Sequence, residues 1–164
     1  MKTLYMISGT MGVGKTTTSQ ALKKRLNKSV FLDGDWCWDS NPFQVNEETK
    51  QMVLDNICYL LNNFIHCSAY EHVIFCWVMN EQSIIDSVLE RIDTKDCTIK
   101  SISLVCQEEH YIKRFEKDVH VGVRTNEDVQ RGIERLPMYQ NLNTIKVDTT
   151  GKSVEEVVNE VLKV

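Results

Sequence analysis

No stretch of this 164-residue sequence approaches the ~18 consecutive apolar residues that a membrane-spanning helix needs. The first apolar run, Leu4 to Ile7, ends at once in a Gly-rich turn and is too short for a secretory signal, so a cytoplasmic protein is expected. A basic excess is also missing. The chain carries 19 Lys and Arg against 23 Asp and Glu, a net charge of −4, whereas a nucleic-acid binder shows a basic surplus or a basic stripe. Neither nucleic acid nor a membrane is an expected partner. The six cysteines (Cys37, Cys58, Cys67, Cys76, Cys97 and Cys106) include no pair at zinc-knuckle spacing. They read as reduced, small hydrophobic residues. The four histidines form no spaced metal set, and repeats, low-complexity tracts and linkers are absent. Nothing in the pattern specifies an oligomeric state.

At roughly 150 residues per domain, the length predicts one domain over residues 1–164. Strands are expected at Leu4–Ile7, Val30–Leu32, Val73–Met79, Ile99–Cys106 and Thr144–Val147, from short apolar runs bounded by turn signals. Helical periodicity covers residues 14–28, 47–66 and 81–93, and a stretch over 107–140 broken near Val119–Thr125 around Gly122. Ser153 and Glu156 form a capping-box pair that opens a last helix. Residues 33–46 read as irregular. Strands that alternate with helices five times predict an α/β fold, a five-stranded parallel sheet with helices on both faces. In such sheets, ligands bind at the carboxyl ends of the strands.

After the first strand comes Gly9-Thr10-Met11-Gly12-Val13-Gly14-Lys15-Thr16, followed by Thr17. It fits the phosphate-loop pattern G-x-x-x-x-G-K-[ST] without substitution and sits between a strand and a helix, the context that pattern requires. Its glycines let the backbone amides curl inward onto phosphate oxygens, and the helix that follows adds its positive end. Lys15 is expected to reach the outer phosphates, and the Thr16 hydroxyl to ligate Mg²⁺. These residues form the expected ATP site.

The second strand ends in Asp33-Gly34-Asp35. Alternate residues of a strand point the same way, so both carboxylates could share one crevice, one near the metal and the other taking an acceptor's hydroxyl proton. The competing reading is a turn, because Asp-Gly is a common turn pair. The phosphate loop followed by this strand and acid pair resembles the P-loop small-molecule kinases: shikimate, gluconate and adenylylsulfate kinases and chloramphenicol phosphotransferase. That resemblance implies a P-loop kinase fold with an acceptor-binding segment after strand two, here residues 34–70, and a lid after strand four, here 107–140. It also implies Asp33 near the metal and Asp35 as the group that contacts the acceptor hydroxyl.

The same resemblance makes Arg114 the first lid arginine, near adenine. The family's second lid arginine is replaced by Asp118, and Arg124 is its expected substitute. Arg131 and Arg135, inside a regular helix, read as a solvated face. No acid closes strand three at Phe75-Cys76-Trp77, so the metal-side groups expected are Thr16 and Asp33. Arginine is absent between Arg25 and Arg91, so the acceptor segment lacks the usual clamp for a phosphate or carboxylate. It offers Trp36, Trp38, Asp39, Phe43 and Gln44 instead. Asp35, Trp36 and Trp38 are the candidate acceptor contacts, unless the tryptophans merely cover the core. The expected activity is ATP- and Mg²⁺-dependent transfer of the γ-phosphoryl group to a hydroxyl of a neutral or cationic small molecule: a nucleoside, sugar or antibiotic. Lys15, Asp35 and Arg124 are its expected catalytic groups. The alternatives are a nucleotide kinase or a non-catalytic ATP-binding regulator.

Overall fold

The computed structural model describes every residue except Val123, and only the backbone of Lys117, Asp118 and Val119. The expectation attached to Asp118 therefore lies outside the described residues. Five strands form one parallel sheet: β1 (Lys2–Ser8), β2 (Ser29–Asp33), β3 (His72–Cys76), β4 (Cys97–Val105) and β5 (Ile145–Asp148), in the order β2-β3-β1-β4-β5. The period-two geometry of a strand sends alternate side chains to opposite faces. In β1, Leu4 and Met6 enter the core on one face, with Val53, Ile57 and Leu61 of α2 (Glu47–His66) and Ile85 and Val88 of α3 (Gln82–Leu89). Tyr5 and Ile7 enter the other, with Leu22 of α1 (Lys15–Arg25) and Val157, Val158 and Val161 of α6 (Val154–Lys163). Each fully buried aliphatic side chain contributes about 1.5–3 kcal/mol.

Across the carboxyl ends of the strands lie α4 (Glu108–His120) and α5 (Asn126–Arg135), which runs into a 3-10 turn at Leu136–Asn141. The break between them falls where Gly122 predicts it. The capping box expected at Ser153 and Glu156 is formed, and equivalent boxes open α2 at Asn46 and Thr49 and α5 at Thr125 and Asp128. Among the described residues, no helix is long and apolar enough to cross a membrane.

Three elements end three or more residues earlier than the periodicity predicts; α1 is one, stopping at Arg25 rather than residue 28. β3 stops at Cys76, three residues short, because Met79 takes a positive φ of 33° and turns the chain. Val78 and Met79 read as strand because they remain apolar, but they pack under the 3-10 turn, where the Tyr139 hydroxyl donates to the Val78 carbonyl at 2.7 Å. α3 stops at Leu89. Beyond it, Asn62 of α2 satisfies the turn, donating to the Arg91 carbonyl and accepting from the Asp93 amide, while Ile92 stays buried.

Candidate active site

The phosphate loop bends as its glycines require. Gly12 and Gly14 hold φ of 79° and 106°, the left-handed region that favours glycine. A Cβ at Gly12 would overlap the Phe115 ring of α4. Lys15, Thr16 and Thr17 form the first turn of α1, so the amides of that helix end face the cleft. Lys15 Nζ folds over the loop and donates to the Thr10 carbonyl at 3.1 Å. Burial pulls its ammonium below the ordinary lysine value, opposed by Asp35 and Asp33.

The acid pair reaches the site differently from the strand argument. β2 ends at Asp33, and Asp35 lies in a 3-10 turn, Gly34–Trp38, so the two carboxylates do not project as alternate residues of one strand. Asp33 is 5% exposed and lies under the loop. One of its oxygens accepts from Thr16 Oγ1 at 2.6 Å and the other from the Asp35 amide at 3.0 Å. The turn reading is therefore realised too, with Asp33 as its cap. Asp35 lines the open cleft. It is exposed to water in the cleft, yet neighbouring protein partly desolvates it. That desolvation, followed by the Asp33 charge, raises its pKa, while Lys15, Trp77 and Arg124 act in the opposite direction.

Thr16 and Asp33 are hard oxygen donors, the type that suits Mg²⁺. Among the described residues, no three His, Cys, Asp or Glu groups converge on a metal position. That fits an ion that keeps waters and substrate phosphates as its remaining ligands. At the end of β3, in register with Ile7 and Asp33, stands Cys76. Burial pushes its thiol up to about 12, so it is a neutral group there.

One cleft of about 1270 Å³ joins these parts. Its phosphate side holds residues 11–18, with Arg114 and Arg124 above. Arg114 donates to the Val13 carbonyl at 2.9 Å, and the Arg124 guanidinium stacks 4.8 Å above the Phe115 ring, within electrostatic reach of Lys15 and Asp35. Arg131 and Arg135 also line the cleft, Arg131 exposed and Arg135 half-buried, so the solvated face expected for them is one that borders the cleft. Helical spacing put both on one side of α5 but could not tell that this side borders the cleft. α4 and α5 are latched to the loop by two hydrogen bonds: Tyr111 to the Met11 carbonyl at 2.6 Å and Thr10 Oγ1 to the Gly132 carbonyl at 2.9 Å. Thr149, Lys152 and Val157 wall the far end. Gly9 and Thr10 lie behind the loop surface rather than on the cleft.

The acceptor segment divides. Trp38 lines the cleft, but Trp36 does not: it stands 57% exposed, edge-on to Phe31 at 5.3 Å between ring centroids. The one-turn 3-10 geometry sends the two tryptophans to different sides. Sequence reasoning missed Trp77. It was hidden inside the over-extended third strand, and it enters the cleft because Gly34 leaves room for its ring. Trp77 is 8% exposed. Its indole N–H lies close enough to Asp35 to favour the ionised carboxylate, but it makes no hydrogen bond of ordinary geometry with any described residue.

Residues 6–133 match the family described as an AAA domain. A shikimate kinase of Bacillus cytotoxicus is 28% identical over 173 residues, spanning 99% of this chain and 98% of that protein. Among solved structures, a gluconokinase from Sinorhizobium meliloti superposes with a TM-score of 0.71 at 19% identity, covering 97% of this chain and 89% of that one. The tunicamycin resistance protein of Deinococcus radiodurans gives 0.73 at 16% identity, covering 99% and 95%. At those identities the two structures speak for the fold alone. With its intact phosphate loop on a 2-3-1-4-5 parallel sheet, the chain belongs to the AAA-domain family, within the superfamily of P-loop small-molecule kinases.

Proposed function

We propose that this kinase transfers the γ-phosphoryl group of ATP to a hydroxyl of a neutral or cationic small molecule, with Mg²⁺ bound on the Thr16–Asp33 side. The observation that carries this reading is the meeting of Lys15, Asp35 and Arg124 in one cleft, with an acid, a fixed cation and a second cation around the same space. Phosphoryl transfer asks little covalent chemistry of a protein; positioning and charge stabilisation supply most of the rate. The loop amides, the α1 N-terminus and Lys15 supply charge for the phosphates. Arg124 and Arg114 supply more from α4 and its following loop. Asp35 accepts the proton as the acceptor oxygen bonds to the γ-phosphorus and the bond to the bridging oxygen of ADP breaks. Mg²⁺, when bound, neutralises phosphate charge, and Asp33 holds Thr16 in the rotamer that presents its hydroxyl.

ADP release from ATP and Mg²⁺ should be stimulated by one class of hydroxyl compound and abolished by chelation or by Lys15→Ala. A specific observation favours a second reading, a nucleotide kinase: Arg131 and Arg135 line the cleft and could clamp an anionic acceptor. Stimulation by nucleoside monophosphates alone, lost in Arg131→Gln or Arg135→Gln, would choose that reading.

A further inference from the structure

The α2–α3 side of the cleft has a chemistry of its own. Trp38 stands edge-on to Phe43 at 4.9 Å and to Trp77 at 6.0 Å between ring centroids. Val53, Leu54 and Ile84 line the same wall. Phe43 is 57% exposed at the rim, so this aromatic surface is open rather than sealed in the core. Polar partners are few. Among the described residues, Ser83, Ser87 and Asp39 are the polar groups there, and the cation on that wall, Lys50, is paired with Glu47 at 2.9 Å. A polyhydroxy sugar or a carboxylated ring placed here would lose water from groups that this wall cannot satisfy. A flat ring would lose little and gain edge-to-face contact. The Trp77 indole N–H is itself sealed from the cleft and lies close enough to Asp35 to favour its ionised form, so this ring offers the acceptor an apolar face rather than a donor.

We infer that the acceptor is an aryl- or heteroaryl-bearing alcohol, its ring held against Trp38 and Phe43. This deepens the kinase reading and rests on it for the identity of the hydroxyl as acceptor, but ring recognition can be measured without turnover.

Calorimetric titration of the full chain with matched pairs tests it. Phenyl β-D-glucoside is compared with methyl β-D-glucoside, and thymidine with methyl 2-deoxyriboside; each pair differs in the ring. The ring-bearing member should bind about 10-fold tighter or more in at least one pair. That margin should shrink to within about 3-fold in Trp38→Ala and survive in Trp38→Phe. Phe43→Ala, at the exposed rim, should reduce the margin without a folding defect. Equal binding within both pairs, tighter binding of shikimate or gluconate, or no binding by either ring-bearing probe overturns the inference. Tight ring-dependent binding without any ADP release would count against the kinase reading of this site and leave ring recognition standing. ADP release stimulated only by compounds without an aryl or heteroaryl ring would overturn ring recognition and leave the kinase reading standing.

Discussion

Asp35 and Lys15 line the same cleft, and the roles proposed for them belong to different stages, so their variants should separate. Asp35→Asn keeps the shape of the side chain and removes its ability to take a proton. Turnover should fall by about 10²–10⁴-fold, while the KM for ATP stays within about 3-fold. Lys15→Ala removes the loop's point charge and should abolish both turnover and measurable ATP binding. ADP release and calorimetry on the two variants distinguish these outcomes; an Asp35→Asn protein with full turnover would remove the proton-transfer role. At the latch, Tyr111 is 1% exposed, and burial pushes its hydroxyl up to about 12, so it stays a neutral donor to the Met11 carbonyl. Tyr111→Phe strands that carbonyl and should cost about 0.5–1.5 kcal/mol in urea denaturation.

The capping boxes and the α4–α5 contact define what the helices contribute. Ser153 accepts from the Glu156 amide while Glu156 bonds back to the Ser153 amide and hydroxyl. Ser153→Ala should cost about 1 kcal/mol, a Tm drop of about 2–4 °C for a chain this size. The hydrogen bonds from Ser153 hold the Glu156 carboxyl below its ordinary value of 4.5. A carboxyl with a depressed folded-state pKa favours folding fully above its unfolded value and loses that contribution as pH falls through the folded value. The wild-type advantage over Ser153→Ala should therefore narrow below about pH 4.5, and thermal melts of both proteins across that window measure it. Gly132 of α5 is fixed by contact rather than by backbone freedom, since a Cβ there would run into the Tyr111 ring. Gly132→Ala should cost about 1–3 kcal/mol or force α5 away from the phosphate loop. Protease sensitivity of the α4–α5 segment would report the second outcome.

For the whole molecule, the phosphate loop, α1 and the latch form one connected body around the cleft, so nucleotide binding should stabilise the entire fold. ATP with Mg²⁺ at about 100-fold over its dissociation constant should add about 2.7 kcal/mol to unfolding, seen as a Tm shift that disappears in Lys15→Ala. A shift preserved in that variant would show that the nucleotide is held elsewhere. The alternation of strands with helices, the phosphate loop and the Ser153 capping box were legible in the sequence, because each rests on local spacing: period two in a strand, 3.6 in a helix, and fixed offsets in a turn. Those features were enough to determine the α/β class and to locate the phosphate loop at one side of the cleft. The opposite side was not legible. The placement of Arg131 and Arg135 along the cleft and the entry of Trp77 beside Asp35 depend on which face of one element meets another. That choice is set by non-local packing: Gly34 under Trp77, Gly132 against Tyr111, Gly12 against Phe115. A glycine reads in sequence as a turn or a weak helix position, and only the folded chain shows that each of these three is a space reserved for an aromatic ring.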